Sequence, residues 1–151
     1  MVCHPDSGDL APQARNALAK LAASVLSTHP LDGGQIQAVF TTDEQMARMN
    51  EDYRGKNSTT DVLSFDYGAS ANTDADAGET EWTRGEIYIS VERATQQAKE
   101  RGIATTAEMA RLLVHGLLHL AGYDHQTVAE LEEMESLTDS FLAASGFEEI
   151  R

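Results

Sequence analysis

The chain has 151 residues, with 41% hydrophobic and 24% charged content, figures ordinary for a globular protein large enough to bury a core. No apolar run approaches the length of a membrane span, so no membrane role is expected. The formal net charge is −14, from 25 acidic and 11 basic residues, which taken alone counts against a nucleic-acid partner because phosphate binding needs a positive surface.

The distribution of that charge matters more than its sum. Asp66, Asp74, Asp76, Glu79 and Glu81 fall in one stretch, and Glu130, Glu132 and Glu133 in another. A local basic patch is therefore compatible with the total, and Arg54 with Lys56 is its first candidate. The stretch Met1 to Leu10 has no basic region followed by an apolar one, so no secretory signal is expected. Cys3 is the single cysteine; no intrachain disulfide can form, and a reducing cytoplasm is the default setting.

In chain order, Pro12 is a favoured first helical residue and opens a helix to about Thr28, with Ala14, Leu18, Leu21, Ala22 and Val25 on its apolar face. After a turn at Pro30 to Gly34, Gln35 to Phe40 reads as a strand. Thr42 and Gln45 form a capping box for a short helix that turns Met46 and Met49 inward. Tyr53 to Asn57 reads as a loop around Gly55, and Asp61 to Phe65 as a second strand. Residues 68–81 are rich in Ala, Asp, Gly and Thr, and predict a mobile insertion with a weak edge strand near Trp82.

Glu86 to Val91 alternates Ile87, Ile89 and Val91 with Glu86, Tyr88 and Ser90, the pattern of a half-buried strand. A helix from about Glu92 to Arg101 follows, closed by Gly102. Thr105 with Glu108 predicts a capping box for the next helix, which runs to about Ala121 and stops at Gly122. Thr127 with Glu130 does the same for the last helix, ended by Gly146, with Val128, Leu131, Met134, Leu137 and Phe141 on its buried side. Strands and helices mix without strict alternation, so the expected class is an α+β layer fold.

Three of the five histidines lie in His115-Gly-Leu-Leu-His119-Leu-Ala-Gly122-Tyr-Asp-His125. Residues four apart sit roughly 40° apart around a helix, so the imidazoles of His115 and His119 can face one ion. Gly122 permits a positive φ and turns the chain, which can return His125 to the same point. Three neutral imidazoles suit zinc and leave a fourth position for water; a structural site would want a fourth protein ligand. The site thus reads as catalytic, with one zinc per chain on His115, His119 and His125. His4 and His29 lack such company and read as ordinary residues.

The spacing is that of the zinc-protease helix, with Gly116 where the glutamate general base belongs. Without that carboxylate the usual route of peptide hydrolysis has no base, although a metal ion lowers the pKa of water bound to it toward ~7 by itself.

Beyond this helix, the chain resembles the YbeY family of bacterial endoribonucleases and ribosomal-RNA maturation factors. The resemblance rests on His115 to His125, on Met49-Asn50 and Tyr53-Arg54 leading to Thr60-Asp61-Val62-Leu63-Ser64-Phe65, and on Gly85-Glu86-Ile87, where Glu86 replaces the family's aspartate. It implies one α+β domain with a small mixed sheet packed with helices, a zincin-like metal-binding helix, and zinc on the three histidines. It implies cleavage of single-stranded RNA, work on precursor ribosomal RNA at the small subunit's 3′ end, ribosome quality control, and association with small-subunit components rather than with DNA. Arg54 matches the family's functional arginine; its guanidinium can clamp a phosphate and stabilise charge developing there. Thr59, Thr60 and Asp61 read first as caps of the second strand, and Lys56 as a surface charge. Asp61 is also a candidate to orient a ligand histidine, and Asp124 to do so or to shape the turn. Two other readings stand beside this one: a zincin-like metallopeptidase with a base from elsewhere, and a non-enzymatic ribosome assembly factor with a structural zinc.

Overall fold

The computed structural model describes residues 2–3, 10–31, 33–54, 60–68, 82–123 and 126–147. Nine elements follow one another among them: β1 (Val2–Cys3), α1 (Pro12–Thr28), β2 (Gln35–Thr41), α2 (Asp43–Arg54), β3 (Val62–Asp66), β4 (Thr83–Ser90), α3 (Val91–Arg101), α4 (Thr105–Leu120) and α5 (Val128–Ala144). The expected mobile insertion lies, past Gly68, outside the described residues.

The sheet order is β1-β2-β4-β3. β2 runs parallel to β1 and β4, while β3 runs antiparallel to β4, so the sheet is mixed. β1, for which the sequence offers no pattern, pairs Val2 with Val39 and Cys3 with Phe40. Apolar alternation sends Ile87 and Ile89 of β4 and Phe40 of β2 into the core, where they meet Leu18, Leu21 and Val25 of α1.

α4 is the central helix. It packs on β3 and β4 and is flanked by α1, α3 and α5. Its buried residues include Leu112, Leu113, Val114, Leu117, Leu118 and Leu120, so only a narrow strip remains for polar groups. A helix apolar nearly all round belongs inside a fold, and this one is.

Several local expectations need correction. β4 begins at Thr83, so Trp82 leads into the central strand and not into a separate edge strand. Val91 starts α3 because the Ser90 hydroxyl caps it, accepting from the Arg93 N–H at 3.1 Å. α2 continues through Tyr53 and Arg54, where a loop was expected. The Thr42 cap did form, with the Gln45 N–H donating to its hydroxyl at 3.2 Å.

Two larger differences concern α4 and α5. Ala104 caps α4 without a side-chain bond, and Glu108 is buried instead of closing a capping box with Thr105. On α5 the Thr127 box is present, with the Glu130 N–H donating to Thr127 Oγ1 at 3.1 Å. Its buried positions, however, are Met134, Thr138 and Leu142, with Leu137 and Phe141 half-buried. Val128 is 73% and Leu131 39% exposed, because the first turns of α5 overhang the core.

Candidate active site

His115 and His119 stand one turn apart on the face of α4 left uncovered by its neighbours. Their ring centroids are 5.2 Å apart and their planes inclined by 62°. Both are half-buried and both line a cleft of about 590 Å³ between α4, α3 and β3 with the residues that lead into it. The helix ends directly below them. The N–H of Gly122 donates to His119 O and that of Tyr123 to Leu118 O, each at 3.0 Å, with Gly122 at φ 105°. Only glycine takes that turn without strain. The chain is described again from Gln126, so His125, like Asp124, lies outside the described residues.

Gly116 points the other way, into the sheet. A Cβ built there would lie 2.8 Å from Ile87 Cγ2 and 3.1 Å from Ser64 Oγ. The position that carries the general base in zinc proteases therefore has no room here for any side chain. On the sheet side Gly85 answers it: a Cβ there would meet Phe65 O at 2.9 Å and Leu120 Cδ1 at 3.2 Å. Two glycines thus let α4 press against β3 and β4, which sets the histidines beside the β3 wall of the cleft.

That wall carries Thr60, Asp61, Ser64 and Asp66. Asp61 accepts from Gln97 Nε2 of α3 at 3.2 Å, and its carbonyl accepts from the Ser90 N–H. Asp66 pairs with Arg84. Glu86 accepts from the hydroxyls of Tyr67 and Tyr88. The far end of the cleft holds Gln97, Arg101, Glu108 and Arg111. Burial pushes the Glu108 carboxyl above the ordinary carboxylate range, while Arg111 and Arg101 pull it back in part.

Of the residues expected at the site, the cleft brings together His115, His119 and Asp61. Arg54 closes α2 with its backbone; its side chain lies outside the described residues, as do Lys56 and Thr59. His29 is an aromatic contact of Tyr123 and Phe141, at ring separations of 5.4 and 5.9 Å, in keeping with an ordinary role. Arg101, Glu108 and Arg111 line the cleft although the sequence reading gave none of them a place at the site. The available signal was Arg111, four residues before His115 on the same helical face.

The donor set fits a divalent ion as far as it is described. Two imidazoles at i and i+4 supply two nitrogen ligands of the type zinc prefers. No group of three His, Cys, Asp or Glu able to hold a metal occurs among the described residues, so no rival cluster competes with this pair there. Nor is any described helix long and apolar enough to cross a membrane.

An α+β fold with an imidazole pair facing a polar cleft is compatible with the class of the metal-dependent hydrolases. Comparison with known proteins narrows it. The family model described as Endoribonuclease YbeY matches residues 6–146. The Endoribonuclease YbeY of Heliobacterium modesticaldum is 39% identical over 124 residues, which cover 80% of this chain and 75% of that protein. That of Listeria innocua is 40% identical over 123 residues, 78% of this chain and 76% of the relative. The solution structure of TM1509 from Thermotoga maritima has the same fold, with a TM-score of 0.60 at 19% identity over 95% of this chain and 89% of that one. This chain belongs to the YbeY endoribonuclease family, a family of hydrolytic nucleases.

Proposed function

We propose that the protein is a zinc-dependent endoribonuclease that cuts single-stranded precursor ribosomal RNA, at the small subunit's 3′ end, in the cytoplasm and in contact with small-subunit components. The observation that carries this reading is the His115–His119 pair opening onto a polar cleft in a chain of the YbeY family. His115, His119 and His125 would hold the ion. When bound, zinc supplies a lowered water pKa and a positive charge beside the reacting phosphate.

The chain's own residues do the rest. Two imidazoles four residues apart on α4 would be the ion's ligands from this helix, and the apolar packing behind them would hold them in place. Arg54 is assigned the clamp on the scissile phosphate, through two parallel N–H donors. The absence of space at Gly116 removes a glutamate base from this helix and ranks RNA above peptide as substrate.

The test is cleavage of a defined unstructured RNA by the zinc-loaded protein, with casein in parallel. Chelator-sensitive RNA cleavage with intact casein supports the reading; chelator-sensitive proteolysis faster than RNA cleavage overturns it. End-group analysis then names the nucleophile: attack by the RNA's 2′-OH leaves a cyclic phosphate, attack by water does not.

A further inference from the structure

Past the histidines the cleft runs toward the N-terminal end of α4, where two guanidiniums converge on one buried carboxylate. Glu108 is 1% exposed. Its Oε1 accepts from Arg111 Nε at 3.1 Å and lies 3.6 Å from Arg101 Nε. Its Oε2 is buried and has no hydrogen-bond partner among the described residues. Stability alone is a poor reason for such a group. A buried ion pair is commonly no better than apolar packing of the same volume, and an unmet carboxylate oxygen makes it worse.

A reason appears in how the arginines are held. Each turns its Nε toward Glu108, and neither makes a further hydrogen bond or ion pair among the described residues. The forked Nη donors of both therefore remain for a ligand, and the Arg101 side chain is 51% exposed. Asp61 stands beside them, bonded to Gln97 and near enough to push the Glu108 carboxyl up further. Formal charges at this end therefore balance, and the arginines attract through directed Nη donors, not through net charge. Asp61 and Asp66 line the same cleft, and Asp139 lines the adjoining one with both arginines, so an anion entering here is repelled by those carboxylates and drawn to the arginines. Arg111, His115 and His119 follow one another at four-residue steps, about 6 Å each along the helix.

We propose that Arg101 and Arg111, positioned by Glu108, bind the non-bridging oxygens of a second backbone phosphate, next along the RNA strand from the one cut at the histidines. This rests on the endoribonuclease reading above. It gives a chain of net charge −14 a directed hold on an anionic strand: two of its 11 basic residues line the cleft with His115 and His119. Such a contact carries no base specificity; it sets the register of the strand across the site.

The experiment is steady-state cleavage of a labelled unstructured RNA between about 50 and 200 mM salt by the zinc-loaded protein. Zinc content and melting temperature are measured on the same samples. Arg101→Gln and Arg111→Gln should each raise KM about tenfold with kcat nearly unchanged, the loss expected for one charged hydrogen-bonding group. The double variant should also flatten the salt slope by about 0.7, one phosphate contact on a single strand, and each single variant by part of that. If Arg111→Gln melts early, Arg111→Lys replaces it; charge without the fork should give an intermediate KM. Glu108→Gln is the sharpest arm. It makes the cleft more positive, so charge alone predicts tighter binding, whereas a lost anchor predicts weaker. Arg48→Gln, on the exposed pair with Glu44, should change nothing. Unchanged KM and slope in both arginine variants, or a lower KM in Glu108→Gln, overturns the clamp while leaving the endoribonuclease reading intact. A wild-type protein that neither binds nor cuts RNA overturns both.

Discussion

Gly116 of α4 lies so close over Ile87 of β4 that a Cβ on the glycine would sit 2.8 Å from Ile87 Cγ2. The contact joins the middle of the helix that carries His115 and His119 to the middle of the sheet. It fixes the height of His115 and His119 above β3 and bars a zinc-protease glutamate from the same helix.

Gly116→Ala should therefore destabilise the protein, although alanine is the better helix former. The propensity gain is about 1 kcal/mol, while overpacking a closed core costs about 1–3 kcal/mol. Ile87 is fully buried and has little space to yield, so the steric cost should win. Urea unfolding measures the sign; a stabilised Gly116→Ala would mean that helix and sheet separate more easily than their packing implies.

Metal binding should separate the histidines. His119→Ala should lose zinc, because the remaining imidazoles bind weakly. His29→Phe should keep it, since His29 packs edge-on against Tyr123 and Phe141 and its Nε2 is buried without a hydrogen-bond partner among the described residues. Metal analysis of the two variants decides; full zinc in His119→Ala would remove the site assignment.

Arg54→Ala should slow single-turnover RNA cleavage by roughly 10²–10³, by analogy with a lost oxyanion-hole donor, with zinc and melting temperature held. Arg54→Lys should rescue poorly, having charge without the fork. Cleavage at the wild-type rate by Arg54→Ala would end its assignment as a clamp.

The raised pKa of Glu108 predicts a pH dependence. A carboxyl that holds its proton more tightly when folded costs stability as pH rises from its ordinary value near 4.5 toward the folded one, because the unfolded chain ionises first. Glu108→Gln removes that loss. The difference in melting temperature, variant minus wild type, should therefore increase with pH from about 4.5 upward and then level off; a difference that falls over this window would reverse the sign assigned to burial.

On α5, Val128→Ser should change stability by less than about 0.5 kcal/mol, whereas Met134→Ala should cost about 2–5 kcal/mol. The residues share one apolar pattern in sequence, yet Val128 is exposed and Met134 fully buried. Equal effects in thermal melts would mean that the first turn of α5 packs on something after all.

Much of this protein was readable from local chemistry. Pro12, Gly102, Gly122 and Gly146 start or stop helices by backbone geometry alone, and the Thr42 and Thr127 caps act within three residues. His115 and His119 share a face because a helix repeats every 3.6 residues, whatever surrounds it. Composition misled in one respect: the net charge of −14 argued against nucleic acid, in a chain that belongs to an endoribonuclease family.

Other features depend on partners distant in sequence, and there local patterns had no purchase. Glu108 has the spacing of a capping residue after Thr105, but α3 brings Arg101 beside it and the fold closes over it. Thr83 to Gly85 carries little apolar signal, yet it becomes central strand because β2 and β3 supply hydrogen bonds on both sides. Val128 and Leu131 repeat the apolar period of α5 and remain exposed, since the core ends before they begin. Sequence by itself determined which groups could act together along one helix. Only tertiary packing decided which were buried and which lined the cleft, because burial is set by what lies opposite and not by the residue's own neighbours in the chain.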